Sequence, residues 1–293
     1  MIYTICSPDG MTEATISPEL GGFVASLIFP FLSGRRETLF LHDNALDPGF
    51  IGLRGGVPFI FPICGRVTQG GREGVYVYDG KEYVLPIHGL SAYEKWEVLH
   101  HDKHSVELIL KSNARTLSLY PFRFAVILKW RVENKKLMCH QQYRNLESEK
   151  VMPFYAGFHP YFLTPDVHAG KEKMMIDFKA VKRLKYNTTL TDVVGEQAMI
   201  NTPISIMDPV VNEQLFLLGA DTCARLSYPD GEALAMTASD DLFSYLQLYH
   251  ESDQPFFCVE HWMGFPNAMN TGDVCWLNAG ESKEAVYEIE MGL

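Results

Sequence analysis

Short runs of alternating apolar and polar residues, each closed by a turn rich in glycine, proline or aspartate, recur along almost the whole chain. "GVYVYDGKEYVL" alternates rings and polar groups around Asp79-Gly80, the signature of a hairpin. "ARLSYPDGEALAMTA" repeats the device around Pro229-Asp230-Gly231, and "FAVILKWRVENKKLMCHQQYRN" gives two longer strands joined near Glu133-Asn134-Lys135. "SVELILKSN" and "SDDLFSYLQLYH" read as further strands, whereas "RLKYNTTLTDVVGEQAMINTPISIMD" is irregular and reads as loop. Helical periodicity with an N-cap and a glycine stop does not persist beyond two turns. With no Pro/Gly/Ser-rich linker and no fixed-period repeat, the pattern predicts an all-β fold. The expected form is a large antiparallel sandwich or barrel, built as a single domain over residues 1–293.

Composition narrows the function classes. Of 293 residues, 47% are hydrophobic, enough for a sizeable core, and the charged share of 21% argues against disorder. A formal charge of -11 opposes nucleic acid and anionic membrane as partners and favours a neutral ligand, or one gripped by a few local cations. The six cysteines contain no CxxC pair, so neither a zinc knuckle nor a disulfide framework is expected, and reduced buried thiols fit a cytoplasmic protein. The start "MIYTICSPDG" lacks the layout of a signal peptide, and no uncharged apolar stretch approaches the roughly 18 residues of a membrane helix.

Ionisable groups sit among glycines, prolines and rings in four stretches: "RGGVPFIFPICGR" (54–66), "IHGL" (87–90), "GFHPYF" (157–162) and "VEHWMGFPNAMNTGD" (259–273). Such composition suits a concave site where backbone comes close and a sugar-like ligand stacks on aromatic faces. Each residue also has a plain structural reading. His88 can be a turn residue and His159 a satisfied core imidazole. Glu260, after "FFCV", points inward or outward by strand alternation, and an inward carboxylate needs a partner. Arg54 and Arg66 are surface charges or forks for ligand oxygens, and Tyr161 is a stacking platform or core. His88, His159 and Glu260 could also ligate a metal, although no HxH or HExxH spacing pre-forms such a site. The cluster His100-His101-His104 lies in a polar turn and reads as solvated. No GxSxG elbow, phosphate loop or dinucleotide fingerprint occurs, so neither a serine hydrolase nor a cofactor is expected.

Taken in order, these stretches resemble the aldose 1-epimerase (galactose mutarotase-like) family. That family shows R-G-G-x-P-x-x-F-P or G-R-V, then H-G, then H-x-Y-F, then a late glutamate followed by P-[DN]-A-x-N. Here they stand as "RGGVPFIFP", "CGRV", "IHGL", "FHPYF" and Glu260 ahead of "PNAMN". The resemblance implies a β supersandwich that interconverts the anomers of a hexose without metal or cofactor, as a monomer or homodimer. It implies Glu260 as the base at the C1 hydroxyl, His159 as the acid at the ring oxygen and His88 as the ring-oxygen partner, with Arg54, Arg66, Tyr161 and Asn212 as substrate contacts. The sequence departs from the galactose-type pattern at Gln69-Gly70 and at Asn212-Glu213, where that pattern has N-R and D-H. "RGGVPFIFP" is similar to the hexose-6-phosphate epimerase branch, but "HGLSAYEK" lacks the arginine that branch places after H-G-F. A hexose phosphate, a non-catalytic carbohydrate-binding role and a metal-dependent sugar isomerase or hydrolase remain as alternatives.

Overall fold

Two large antiparallel sheets carry the architecture in the computed structural model, which describes residues 1–165 and 170–292. The first runs in the order Glu97–His101, Ser105–Lys111, Phe124–Glu133, Lys136–Asn145, Ser282–Gly292, Ala233–Ala238, Ala224–Ser227, Met175–Phe178 and Ile204–Ser205. Its long strands bury every second residue, as Phe124, Val126, Leu128, Trp130 and Val132 do, so one face meets the core and the other meets water.

The second sheet runs Val193–Gln197, Ala180–Tyr186, Gln214–Leu218, Tyr245–Tyr249 and Phe256–Trp262, then the short pieces Gly157–Phe158 and Phe59–Ile60. Tyr161–Leu163 also pairs with Phe256–Trp262. The two sheets meet through fully buried rings. Phe158 stacks on Tyr287 at 4.3 Å, and Trp130 meets Phe158 edge-on at 5.7 Å. Burying each such ring stabilises the fold by about 1.5–3 kcal/mol before the opposing entropy is counted. A smaller four-stranded sheet over residues 3–37 packs its apolar face into the same core.

The antiparallel β architecture matches the pattern read from the sequence, and its hairpins fall where the turn residues place them. Asp79 and Gly80 both take positive φ, 49° and 69°, the geometry of a tight two-residue hairpin. Lys135, at φ 60°, closes the hairpin between Phe124–Glu133 and Lys136–Asn145. The stretch from Arg183 to Asp208, expected as loop, instead holds the end of one strand and the short strands Val193–Gln197 and Ile204–Ser205. Register shifts at Ala180/Lys182 and Lys185/Tyr186 break the two-residue period there, and Val193–Gln197 is an exposed edge strand with little to bury.

Phe256–Trp262 departs from half-burial: all seven residues are buried. One face, with Phe257, Val259 and His261, enters the core between the sheets. The other face carries Cys258, Glu260 and Trp262, and the last two form the floor of a cavity.

Candidate active site

Strand alternation places Glu260. Across the ladder Gln247 opposes Glu260 and Tyr249 opposes Cys258, so Gln247, Tyr249, Cys258, Glu260 and Trp262 share the face turned away from the core. His159 arrives from the other side, on the "GFHPYF" corner between Gly157–Phe158 and Tyr161–Leu163, both paired to Phe256–Trp262. The His159 amide donates to Pro58 O at 3.0 Å, and Pro160 interrupts the ladder so that the imidazole turns toward the glutamate. Gly157 is needed beneath it, because a Cβ there would lie 2.7 Å from the Trp262 indole and 2.8 Å from the His261 carbonyl.

His88 is set by a backbone corner. It takes φ 62°, rare for a residue with a Cβ, and is followed by Gly89 at φ 75°, whose missing Cβ would sit 2.3 Å from Phe61 O. The His88 amide donates to Gly65 O at 2.9 Å, and Gly65 N–H donates back to His88 Nδ1 at 3.1 Å. Because Nδ1 accepts, the neutral ring carries its proton on Nε2, leaving a donor for the cavity.

These three residues meet. His159 Nε2 lies 3.3 Å from Glu260 Oε1, and the His88 and His159 rings stand edge-to-face at 5.0 Å. Their exposures are 1% for Glu260, 5% for His159 and 8% for His88. Together they line a cavity of about 230 Å³ whose walls include Tyr161, Tyr186, Tyr249, Trp262, Gln247, Arg66 and Glu213. Tyr161 stacks on the His159 ring at 4.7 Å, and Tyr186 Oη donates to Gln247 Oε1 at 2.8 Å.

Burial sets the protonation of the pair. It pushes the Glu260 carboxyl well above the ordinary range, with the Glu213 carboxylate adding to the rise and the Trp262 indole opposing it. Burial drives the His159 imidazolium down to about 3. His88 is also pushed well down, first by burial and then by the charges of His159 and Arg66. Burial thus favours the pair as a carboxylic acid beside a neutral imidazole, one proton between the two. An unperturbed pair would instead hold an ionised glutamate beside a histidine near about 6.5.

Two residues expected as substrate contacts lie elsewhere. Arg54 turns away from the cavity and donates to the carbonyls of Ala45, Asp47 (2.7 Å) and Phe50 (3.4 Å), bracing the turn before it. Asn212 is exposed, and its Oδ1 accepts the His250 amide at 3.0 Å; its neighbour Glu213, at φ 48°, faces the cavity instead. Arg66 does reach the wall, with its Nε donating to Glu73 at 3.0 Å. Gln247 and Tyr249 could have been found from the alternation of "YLQLYH" once Glu260 was placed. Tyr186 had no such signal, lying where bulges hide the period.

The "PNAMN" segment serves the walls rather than the floor. The Asn267 amide donates to Arg66 O at 2.8 Å, its Oδ1 accepts the Thr68 amide at 2.9 Å, and its Nδ2 donates to Asp192 Oδ1 at 2.6 Å. Asn270 Nδ2 donates to Thr68 O at 2.9 Å. One buried asparagine thus ties the Arg66 turn to the loop carrying Leu190, another wall residue.

Sequence and structure comparisons agree with this architecture. The sequence profile described as aldose 1-epimerase matches residues 2–290. The LacX protein (chromosomal) of Lactococcus lactis subsp. lactis is 26% identical over 246 residues, 78% of this chain and 79% of that protein. Among solved structures, a Synechocystis sp. PCC 6803 protein superposes with TM-score 0.84 at 25% identity, covering 100% of this chain and 96% of that one. A galactose mutarotase-like protein from Lactobacillus casei gives TM-score 0.82 at 21% identity, with both chains covered in full (100%), a likeness of fold.

Proposed function

The chain belongs to the aldose 1-epimerase family, and from that premise we propose that it interconverts the α and β anomers of a free hexose by acid–base ring opening. The observation that carries the reading is the buried Glu260–His159 contact of 3.3 Å at the floor of a cavity of monosaccharide size.

A sugar hydroxyl entering the floor satisfies both groups and favours the Glu260 carboxylate with the His159 imidazolium, the same proton count as the resting pair. Glu260 then takes the proton from O1 while His159 gives its proton to O5. The C1–O5 bond breaks, the O1–C1 pair becomes the carbonyl, and an open-chain aldehyde forms. The pair is now carboxylic acid and neutral imidazole, the arrangement that burial favours. Rotation about C1–C2 presents the other carbonyl face. O5 adds to C1 as His159 takes back its proton and Glu260 returns one to O1. The His88 Nε2 proton, fixed by the Gly65 hydrogen bond, serves as a constant donor near the ring oxygen. Each positioned acid or base typically contributes about 10²–10⁴-fold.

The electrostatics of the walls favour a neutral sugar over a phosphate. Among the described lining residues Arg66 is the single cation, it already pairs with Glu73, and Glu213 and Glu260 share the cavity.

The test is anomeric exchange followed by NMR with glucose, galactose and glucose 6-phosphate, for the wild type and Glu260→Gln. Accelerated exchange of a free hexose, reduced about 10²–10⁴-fold by the substitution, is expected. A folded wild type that accelerates none of the three rejects the reading for these sugars, and faster exchange of glucose 6-phosphate than of glucose moves the substrate to the phosphorylated class.

A further inference from the structure

The face of Phe256–Trp262 that carries Glu260 also carries Cys258, two residues earlier, and the reaction above makes no use of it. Its thiol is fully buried beneath Tyr161, its cross-strand neighbour. One ligand atom from each of His159, Cys258 and Glu260 lies within 4.8 Å of the others, and all three residues are buried.

We propose that His159, Cys258 and Glu260 form a site for a thiophilic divalent cation such as Zn²⁺, and that the bound ion blocks the cavity. The donor set of one imidazole, one thiolate and one carboxylate is the kind that borderline-soft ions take in tetrahedral geometry. The 3.3 Å between His159 Nε2 and Glu260 Oε1 is close to the edge of a tetrahedron drawn by metal–ligand bonds of about 2 Å. Two further polar atoms are free: His159 Nδ1 and Glu260 Oε2 are buried without a hydrogen-bond partner among the described residues. His159 and Glu260 line the cavity, so the fourth position faces it and an ion has a route in.

A cysteine at 258 also fills space against Tyr161 and Phe256. The acid–base roles account for the imidazole and the carboxylate but not for a sulfur within 4.8 Å of both, and packing alone asks for no thiol there. On binding, the Cys258 thiol proton and the proton shared by the pair leave to solvent, and the ion undergoes no redox change. Blocking of the sugar rests on the function proposed above; binding of the ion does not.

Co²⁺ serves as the spectroscopic probe and Zn²⁺ as the inhibitor, both with the full chain. The wild type is expected to show a sulfur-to-cobalt charge-transfer band that saturates at one ion per chain, and Zn²⁺ to slow anomeric exchange. Cys258→Ser should lose the band and keep the exchange rate measured without ion. Its inhibition by Zn²⁺ should weaken by more than about 100-fold, beyond the cost of losing an outer-shell partner. Absence of the band in the wild type, or its persistence in Cys258→Ser, overturns the site. Should the serine variant misfold, Glu260→Gln decides: it keeps the side-chain volume, and an unchanged cobalt affinity rejects the carboxylate as a ligand. The cobalt readout needs no sugar, so an inactive protein that still binds the ion would reject the proposed function and leave this site standing.

Discussion

At the scale of single residues, the chemistry depends on burial acting in opposite directions on two neighbours. His159 takes a second proton on the pair only in strong acid, near 3, and Glu260 gives up the shared proton only well above the usual carboxylate range. The acid limb of the kcat/KM profile should therefore lie below the ordinary histidine pKa of about 6.5 rather than at it. An acid limb centred near 6.5 would show that His159 is solvated in the working enzyme. The two arginines of the "RGGVPFIFPICGR" segment separate cleanly. Arg66→Ala should raise KM several-fold with little loss of thermal stability, whereas Arg54→Ala removes donors to three turn carbonyls, that of Ala45 buried. The latter should cost about 1–3 kcal/mol of stability and leave activity per folded molecule nearly intact. Thermal melts beside sugar kinetics distinguish the two, and equal effects on KM would return Arg54 to the pocket. The sequence made Glu260, His159 and His88 legible, because an ionisable group in an apolar, glycine-bounded run has few reasons to be there. It could not separate Arg54 from Arg66, since both flank the same run and only the tertiary course of residues 42–50 turns one of them away.

Among the elements, the strand Phe256–Trp262 and the turn after it divide the work between floor and walls. The strand is legible in "FFCVEHW", yet its most telling property, burial on both faces, is absent from a pattern that shows only continuous apolarity. The turn works through Asn267, whose φ of 67° an asparagine tolerates better than most residues. Asn267→Ala strands the Thr68 amide and frees the Asp192 loop. It should raise KM more than it lowers kcat, because the pair on the floor is untouched, and should cost about 1–3 kcal/mol of stability. Steady-state kinetics at several sugar concentrations would show it; a drop in kcat with KM unchanged would place the asparagine's influence on the floor instead. The irregular stretch from Arg183 to Asp208 marks the other limit of legibility. Bulges and an exposed edge strand erase the two-residue period, and with it the signal for Tyr186.

For the whole molecule, the interior, core and cavity floor together, holds titratable groups that water would charge. His88, His159 and His261 are held neutral by burial, the last at about 4. Each binds a proton near 6.5 only when the chain unfolds. Their lowered values contribute stability that is present above about pH 6.5 and is lost as pH falls toward the folded values. Glu260 acts in the other direction, since its raised value favours the folded state as pH falls toward 4.5. His42 and His250 are lowered as well and Glu213 is raised, so with five imidazoles against two carboxyls the net sign is loss of stability in acid, at about 1.4 kcal/mol per pH unit for each net proton. Denaturant midpoints measured between pH 7 and pH 5 should fall; a flat or rising midpoint would mean that the buried imidazoles are charged in the folded protein. The same burial has a consequence for how the proposed catalyst relates to its surroundings. Two protons shuttle, one between O1 and Glu260 and one between His159 and O5, and the pair ends each cycle in the state in which it began, whichever anomer departs. No proton is drawn from bulk water or released to it, so the cycle closes within the pocket and the buffer is a bystander.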